Sequence, residues 1–329
     1  MNNTYLNVAK NAKDDEFYTQ ISTIEKEMSF YKENFQGKTV YCNCDDARKS
    51  NFFKFFFENF HTLGLKKLIA SCYKSSKLNS RTDTGVWIEY CGENKETFNL
   101  EVQYLKGDGD FRSPEALNLL KEADIVVTNP PFSLFQDFVK LMDEKGKQFL
   151  LLGSQNANSC KTVFNLIREG KLWLGRSVKS GAVEFEIPEH YNRSSSSYYK
   201  ENGKKYVKVP GIRWFTNIQS EDKNPELALT KSYYKEKQLY SKFDNYNAIN
   251  VNKTADIPSD YFGCMGVPIT FLDKFNSEQF EIVGMTKSWD NSGLHNGAVK
   301  CKDGMVNGKR IYARILIRRK LKETNKSVA

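Results

Sequence analysis

The stretch DIVVTNPPFSLF runs from Asp124 to Phe135 and joins a strand pattern directly to a helical one. Its first five residues, Asp124–Thr128, predict a short buried strand, and helical spacing begins at Ser133. The two prolines between them can neither continue a strand ladder nor occupy a helix interior, so they predict a rigid extended turn. In open α/β sheets, the carboxyl ends of the strands are where ligands bind. The turn is therefore a candidate binding site.

This turn offers a specific set of groups to a ligand. Asn129 carries an amide oxygen, and the carbonyl of Pro130 lies beside it in the chain. Two acceptors held side by side can take both hydrogens of an exocyclic amine, such as that of adenine, and make the nitrogen a better nucleophile. Phe132 can stack on a base, a contact worth roughly 1–3 kcal/mol. The alternative is a proline-rich turn whose Phe belongs to the core.

Strand and helix patterns alternate on both sides of the turn. The sequence predicts a helix from Ile21 that Gly37 ends, a strand at Thr39–Cys44, an aromatic helix ending at Gly64, and a strand over residues 65–73. A strand–helix–strand order predicts a parallel βαβ unit. Because the alternation continues to about residue 175, the predicted fold class is α/β with a doubly wound sheet.

The amino-acid composition changes near residue 220, after which Lys, Tyr and Asn are abundant. We therefore predict one domain over residues 1–220 and a second region over residues 221–329. Residues 74–106 interrupt the alternation as an inserted hairpin, with two strands around a Gly-Glu-Asn-Lys turn. Residues 193–206, rich in Ser and Lys, predict a flexible surface loop. The segments on either side of this loop, over residues 172–188 and 209–218, predict late strands.

The composition indicates a globular protein, and its basic balance favours a polyanionic partner. The 329 residues are 40% hydrophobic and 27% charged, with a net charge of +9. A basic balance favours a polyanion such as nucleic acid, although a lysine-rich protein without such a partner has the same balance. The 17 Tyr and 23 Phe residues provide stacking surfaces.

The distribution of cysteines and apolar residues bounds the cellular context. Seven cysteines without framework spacing and three scattered histidines predict no structural metal and a reducing compartment. No apolar segment resembles a signal peptide or reaches the roughly 18 residues of a membrane span. We therefore expect a cytoplasmic protein with no membrane partner.

Several stretches together are similar to the EcoRI-type adenine-specific DNA methyltransferases. The similarity covers nearly all of residues 14–192 and lies in DEFYTQ, VYCNCDDARKSNFFKFFFENF, LGLKKLIASCY, GDGDFRSPEALNLLKEADIVVTNPPFSLF and FNLIREGKLWLG. It continues less specifically into MGVPITFLDKFNSEQFEIVG and GKRIYARILIRR. The resemblance implies a site-specific enzyme that transfers a methyl group from S-adenosyl-L-methionine to N6 of a flipped adenine in double-stranded DNA. It also implies a Rossmann-like methyltransferase domain followed by a C-terminal DNA-recognition region.

The resemblance assigns roles to individual residues. The implied catalytic residues are Asn129, Pro130, Pro131 and Phe132. The implied cofactor-binding residues are Phe17, Tyr18, Thr19, Cys42, Asn43, Cys44, Asp45, Asp110, Phe111 and Asn129. In this assignment Asp110 accepts from the adenine amine of the cofactor. Many wider relatives carry a Gly-rich loop where this chain has Cys42 to Asp46, and the EcoRI type shares that departure.

Simpler alternatives exist for three of the acidic residues. Asp45 and Asp46 follow a predicted strand and precede a predicted helix, so either can serve as the helix N-cap. Asp108 competes with Asp110 for the cofactor contact, and the whole Gly-Asp segment can be a turn that caps the next helix.

The function has alternatives as well. The same chemistry can act on RNA adenine or on a protein glutamine amide, and a nucleic-acid-binding relative can lack catalysis. No cysteine follows a proline, so the chain lacks the Pro-Cys nucleophile of cytosine-C5 enzymes. We expect a monomer, because one methyl group is added to one strand at a time. A cognate restriction endonuclease acting separately is a further possible partner.

Overall fold

The structure is a computed structural model, and its description covers most of the chain. The described residues are 18–44, 46–47, 49–74, 84–92, 100–179, 181–187, 198–219 and 224–321. The chain groups into two compact units. The N-terminal unit comprises residues 1–157 and 172–220, and the C-terminal unit comprises residues 158–171 and 221–329.

The N-terminal unit contains helices and two sheets. Its helices are α1 (Ile21–Met28), α2 (Asn51–Glu58), α3 (Pro114–Glu122) and α4 (Phe135–Glu144). Its strands are β1 (Tyr18–Thr19), β2 (Thr39–Asn43), β3 (Lys67–Cys72), β4 (Val86–Tyr90), β5 (Gln103–Tyr104), β6 (Ile125–Thr128), β7 (Gln148–Ser154), β8 (Trp173–Leu174), β9 (Ala182–Ile187), β10 (Tyr198–Glu201), β11 (Lys204–Pro210) and β12 (Ile212–Thr216).

The larger sheet is mixed and has the order β5-β4-β3-β2-β6-β7-β12-β8. Its four central strands, β3, β2, β6 and β7, are parallel, whereas the strands on both margins are antiparallel to their neighbours. Helix α2 connects β2 to β3, and α4 connects β6 to β7. The expected α/β class is confirmed, with antiparallel margins that the sequence did not predict.

The segment predicted as an inserted hairpin extends this sheet. Val86–Tyr90 pairs along β3, and Gln103–Tyr104 pairs with the start of Val86–Tyr90. The two predicted strands are therefore present, but they are sheet members and not a separate excursion. Residues 75–83 and 93–99, which include most of the predicted turn, lie outside the described part.

The face of the sheet that packs on α1 and α2 is strongly aromatic. Val40, Cys42, Leu68 and Ala70, which alternate along β2 and β3, share one hydrophobic cluster with these helices. Helix α2 contributes four buried phenylalanines to it, Phe52, Phe53, Phe55 and Phe56. On the opposite face, Phe111 lies against Phe138 of α4, with ring centroids 5.0 Å apart.

Helix α2 begins later than its sequence suggested. Ser50 is its N-cap, and the Ser50 hydroxyl accepts hydrogen bonds from the amides of Phe52 (3.1 Å) and Phe53 (3.4 Å). The capping alternative for Asp45 and Asp46 is therefore wrong. Serine caps a helix as well as aspartate does, and the carbonyl of Asp46 instead accepts from the amides of Lys49 (2.9 Å) and Ser50 (2.7 Å) in a turn. Asp45 itself lies outside the described residues.

The second sheet of the N-terminal unit is antiparallel, with the order β1-β9-β11-β10. The predicted late strands divide between the two sheets: Trp173–Leu174 joins the large sheet, and Ala182–Ile187 joins this one. Gly211, with φ of +72°, separates β11 from β12 as the chain returns to the large sheet. A left-handed conformation favours glycine, which allows this abrupt change.

The prediction of a flexible loop over residues 193–206 is wrong for its second half. Tyr198–Glu201 and Lys204–Pro210 form a hairpin, joined by Asn202 and Gly203, which both have positive φ. An Asn-Gly pair is the preferred two-residue hairpin turn. Residues 193–197 lie outside the described part.

The described residues of the C-terminal unit contain one α-helix, α5 (Lys161–Arg168). Its strands are β13 (Ile249–Asn250), β14 (Met265–Pro268), β15 (Phe280–Met285), β16 (Met305–Val306), β17 (Lys309–Arg310) and β18 (Arg314–Arg319). Four of them form a sheet in the order β13-β14-β18-β15, and β16 and β17 form a separate hairpin. Across the described ranges of the whole chain, no helix is long and apolar enough to cross a membrane.

Candidate active site

The Asn-Pro-Pro-Phe turn has the predicted context of a strand before it and a helix after it. Strand β6 ends at Thr128, a short 3-10 turn covers Phe132–Leu134, and α4 begins at Phe135. The amide of Leu134 donates to the carbonyl of Pro131 at 2.9 Å, which closes the turn. The turn therefore lies at the carboxyl end of a central parallel strand.

Aromatic packing against strands β7 and β12 supports the turn. Phe135 lies on Gly153 of β7, where an added Cβ would come within 2.4 Å of the ring. The Phe135 ring also packs on Phe215 of β12, with centroids 4.9 Å apart. Phe132 is only partly buried and borders the aromatic cluster. The absence of a side chain at Gly153 thus lets α4 begin close to the sheet.

Strand β6 is tied directly to strand β2. The buried Thr128 hydroxyl donates a hydrogen bond to the main-chain carbonyl of Asn43. Asn43 is the last residue of β2, and β2 and β6 are parallel neighbours. The predicted catalytic turn and the predicted cofactor turn are therefore adjacent at one edge of the sheet.

The turn after β2 has an unusual backbone. Cys44 has φ of +70°, a left-handed conformation that residues with a Cβ adopt at a cost. Its thiol lies 3.7 Å from the side-chain oxygen of Asn43. Cys42 is fully buried in the aromatic cluster, so its side chain serves the core. Cys44 thus adopts a conformation that is usual for a glycine.

The described part of the Phe17–Thr19 motif lies against the start of α2. Thr19 pairs with Phe185, and Tyr18 pairs with Glu186, as β1 joins the second sheet. The side-chain amide of Asn51 donates to the carbonyl of Thr19 at 2.7 Å. Asn51 is the first residue of α2, so this bond fixes the motif beside the turn that follows β2. Phe17 lies outside the described residues.

Three buried polar atoms in these segments make no hydrogen bond within the described protein: Thr19 Oγ1, Gln20 Nε2 and Asn43 Nδ2. Buried polar groups without partners are rare and costly, at about 1–3 kcal/mol each. Thr19 and Gln20 lie at the contact that Asn51 makes with the Thr19 carbonyl, and Asn43 is the last residue of β2. The set is consistent with a polar ligand that satisfies them.

The Gly-Asp-Gly-Asp segment closes onto the carboxyl end of β3. Gly109 has φ of +81°, and a Cβ there would lie 2.4 Å from the carbonyl oxygen of Cys72. The amide of Lys74 donates to the carbonyl of Asp108 at 2.7 Å. Only glycine permits this close approach. The segment is thereby fixed at the same edge of the sheet as the turn after β2.

The two aspartates of this segment have different surroundings. Both Asp110 carboxylate oxygens accept hydrogen bonds from Arg112, at 2.9 Å from Nε and 2.7 Å from Nη2. These hydrogen bonds lower the pKa of Asp110. Asp108 accepts from the amide of Asp110 at 3.1 Å. Phe111 is buried against α4. Arg112 also reaches Asp137 of α4 at 3.9 Å, a link that the sequence analysis did not anticipate.

Residues 175–179 form a loop near this edge that carries Arg176 and Lys179. We call it the basic loop, and two buried charged residues hold it in place. Glu27 of α1 is fully buried and accepts from the amides of Arg176 (2.9 Å) and Ser177 (2.7 Å). Arg213 of β12 is nearly fully buried and donates to the carbonyl of Lys179 at 2.6 Å. Because Arg213 pairs with Gly153 near the carboxyl end of β7, the loop lies beside the strand that neighbours β6.

The described residues contain no cluster of three or more His, Cys, Asp or Glu side chains that could hold a metal ion. The residues that the sequence analysis missed are Glu27, Asn51, Arg112, Thr128 and Arg213. Their partners are distant in the chain, except for Arg112, which lies two residues from Asp110. Only Arg112 therefore had a local sequence signal, namely a charge complementary to that of Asp110.

Comparison with known proteins identifies the family. The model of the family described as adenine-specific methyltransferase EcoRI matches residues 5–320. Type II methyltransferase M.EcoRI of Escherichia coli is 46% identical over 326 residues, which cover 97% of each chain. Type II methyltransferase M.MpnI of Mycoplasma pneumoniae is 42% identical and covers 96% of this chain and 98% of its own. No solved structure matches. The chain therefore belongs to the adenine-specific EcoRI methyltransferase family and is a site-specific DNA adenine methyltransferase.

Proposed function

We propose that this protein transfers the methyl group of S-adenosyl-L-methionine to N6 of an adenine flipped out of duplex DNA. The observation that carries the proposal is the hydrogen bond from Thr128 to the Asn43 carbonyl, which joins the Asn-Pro-Pro-Phe turn to the turn after β2. A methyl donor and an acceptor amine must lie close together for direct transfer, since positioning supplies much of the catalysis. The parallel centre of the sheet supports the Rossmann-like fold expected for such an enzyme.

The proposed cofactor site lies along the edge formed by β1, β2 and the Gly-Asp-Gly-Asp segment. Thr19 and Asn43 have buried polar atoms that a polar ligand would satisfy. Tyr18 and Cys44 flank them, and Asp110 offers its carboxylate from the next turn. Phe17 and Asp45 keep their predicted role, although they lie outside the described residues. When bound, the cofactor supplies a methyl group on a sulfonium, which is already activated for transfer.

The proposed roles of this chain's own residues concern the amine. The side-chain oxygen of Asn129 and the carbonyl of Pro130 accept the two N6 hydrogens and raise the electron density on the nitrogen. Pro131 fixes the turn, and Phe132 stacks on the base. The N6 proton becomes acidic only as the new bond forms, so no strong base is required, and the proton leaves to solvent. The contribution of these residues is positioning and electrostatics.

Duplex DNA requires further contacts. Flipping a base costs a few kcal/mol, which contacts to phosphates must offset. Arg176 and Lys179 are carried by the loop that Glu27 and Arg213 hold beside β7, so this loop is a candidate for such contacts. We further propose that residues 1–220 form the catalytic domain and that residues 221–329 form a separate DNA-recognition region.

Three further features complete the proposal. The enzyme acts as a monomer, because each methyl transfer modifies one strand. It works in the cytoplasm, where DNA and the cofactor are both present in a bacterial cell. A restriction endonuclease that reads the same site and acts separately would be its partner in restriction–modification.

The test is methyl transfer by the purified protein to mixed-sequence duplex DNA with radiolabelled cofactor, followed by nucleoside analysis. N6-methyladenine should appear at one fixed sequence. Asn129→Ala should lose nearly all transfer, while its cofactor affinity in calorimetry should stay nearly intact, because most of the proposed cofactor contacts come from other residues. Asn118→Ala is the matched control, because Asn118 is an exposed asparagine on α3. Transfer to RNA or to a protein glutamine instead of DNA would refute the substrate, and absence of cofactor binding would indicate a non-catalytic relative.

A further inference from the structure

The hairpin of β16 and β17 in the C-terminal unit has a tight, well-defined turn. Met305 pairs with Arg310, and Val306 pairs with Lys309. The two residues between the strands, Asn307 and Gly308, have φ of +50° and +72°. Positive φ at both positions defines the type I′ turn that matches the natural twist of a β-ribbon. The hairpin is therefore a preformed two-stranded ribbon.

The turn is fixed by a single carboxylate from a distant segment. The two oxygens of Asp244 accept from the amides of Asn307 (3.2 Å) and Gly308 (2.8 Å). The amide of Asp244 donates to the carbonyl of Met305 at 2.8 Å. The main-chain N–H groups of Asn307 and Gly308, which form the tip of the hairpin, are thus both hydrogen-bonded within the protein. The conformation of the tip does not depend on a ligand.

The base of the hairpin is anchored by Asn245, which is fully buried. Its side-chain amide donates to the carbonyls of Cys301 (2.6 Å) and Asp303 (2.7 Å), and its oxygen accepts from the amide of Met305 (3.0 Å). A buried side chain with three hydrogen bonds strongly restricts the backbone that it contacts. Val306 and Ile311 pack on the small hydrophobic cluster of this unit. The ribbon is therefore held rigidly while its tip is exposed.

The exposed part of the hairpin is basic. Asn307, Lys309 and Arg310 are exposed, and Tyr312, which follows the second strand, is 80% exposed. Arg310 makes an ion pair with Asp303. Residues 286–321 contain nine Lys and Arg but only two Asp and Glu, in a chain whose net charge is +9. Positive charge is thus concentrated in the segment that carries the hairpin.

We propose that this hairpin inserts into the major groove of the target DNA and reads base edges there. The inference rests on the proposed DNA-recognition role of residues 221–329. The major groove, about 12 Å wide, admits a two-stranded ribbon. Asparagine pairs with adenine and arginine with guanine through two hydrogen bonds each. Asn307 therefore supplies base readout, and Arg310 does so once its guanidinium exchanges Asp303 for a base edge. Lys309 contacts a phosphate, and rigidity of the ribbon lowers the entropy lost on binding.

The first experiment tests the charge contribution. The probe is a duplex that carries the sequence methylated in the transfer assay described above, with affinity measured by fluorescence anisotropy from 50 to 300 mM salt. Lys309→Ala/Arg310→Ala should weaken binding at least tenfold and make the slope of log affinity against log salt shallower by about one to two. Lys253→Ala/Lys274→Ala removes two exposed lysines of the same unit. It should leave the affinity within twofold of the wild type and the salt slope unchanged within error. Equal effects of the two double variants would overturn the proposal.

The second experiment tests base readout by the tip. Asn307→Gly keeps the left-handed turn, because glycine tolerates positive φ, but it removes the side-chain amide that is proposed to contact a base. The ratio of affinities for the cognate duplex and for duplexes with one substituted base pair should fall about tenfold at one position. An unchanged ratio at every position would overturn groove reading. Cofactor affinity should remain at the wild-type value in all variants. A wild-type protein that methylates no DNA would instead reject the proposed function itself, independently of the hairpin.

Discussion

Thr128, the last residue of β6, donates its hydroxyl hydrogen to the main-chain carbonyl of Asn43, the last residue of β2. The two residues are 85 positions apart in the chain. They join the turn assigned to the target amine and the turn assigned to the methyl donor. Because the bond is buried and links the ends of two strands, its loss would remove a direct connection between the two turns.

Thr128→Val should therefore lower both stability and activity. Valine has nearly the same shape as threonine but cannot donate. We expect a loss of about 1–3 kcal/mol in the free energy of unfolding, measured by urea titration, together with slower methyl transfer in single-turnover assays. Thr128→Ser keeps the hydroxyl and is the control. A valine variant with wild-type stability and single-turnover rate would show that this bond does not organise the site.

Cys44→Gly should be tolerated, whereas Cys44→Val should not. Cys44 has φ of +70°, and a left-handed residue with a Cβ costs about 1–2 kcal/mol, most for β-branched side chains. The valine variant should bind the cofactor more weakly in isothermal calorimetry, because the turn after β2 would relax. The glycine variant should bind with near wild-type affinity. Weak binding by both variants would show that the thiol, and not the backbone, matters.

Arg112→Ala should change the response of the protein to acid. The hydrogen bonds from Arg112 lower the pKa of Asp110 from its ordinary value of 3.8. A lowered pKa means that the pair stabilises the fold fully above the ordinary value and loses this contribution as the pH falls through the lowered one. The variant should therefore unfold at a higher pH on acidification, followed by circular dichroism.

Lys121→Ala, which removes an exposed cation on α3, is the control for the acid titration. Its acid transition should coincide with that of the wild type. Arg112→Ala should also weaken cofactor binding, because the Asp110 carboxylate, which is proposed to contact the cofactor, would no longer be held in place by Arg112. An unchanged acid midpoint in Arg112→Ala would contradict the pairing of Asp110 with Arg112.

Glu27→Gln should destabilise the N-terminal unit and loosen the basic loop. Glutamine keeps the size of the side chain but replaces one acceptor oxygen with a donor, which would face the amides of Arg176 and Ser177. We expect a loss of about 1–3 kcal/mol in urea unfolding and faster hydrogen exchange at these two amides. Glu25→Gln, on the exposed side of α1, should stay within about 0.5 kcal/mol of the wild type. Equal stabilities of the two variants would exclude Glu27 as the anchor.

The sequence by itself determined the local features of this protein. Two prolines after an apolar strand fixed the turn at Asn129, and alternating patterns fixed the central strands and the helices between them. In each case the cause lies within a few residues, because proline geometry and hydrophobic periodicity act locally. The run of similar motifs is sufficient by itself to indicate the family.

Only the tertiary structure decided which segments share a sheet and what holds the site together. Residues 172–188 predict late strands without saying which sheet they join, and Trp173–Leu174 and Ala182–Ile187 pair in different sheets. Ser50 replaced the acidic residues as the cap of α2. The bonds from Asn51 to Thr19 and from Thr128 to Asn43 connect positions 32 and 85 residues apart. Such pairings depend on how distant segments meet when apolar surface is buried, and a local pattern carries no information about that meeting.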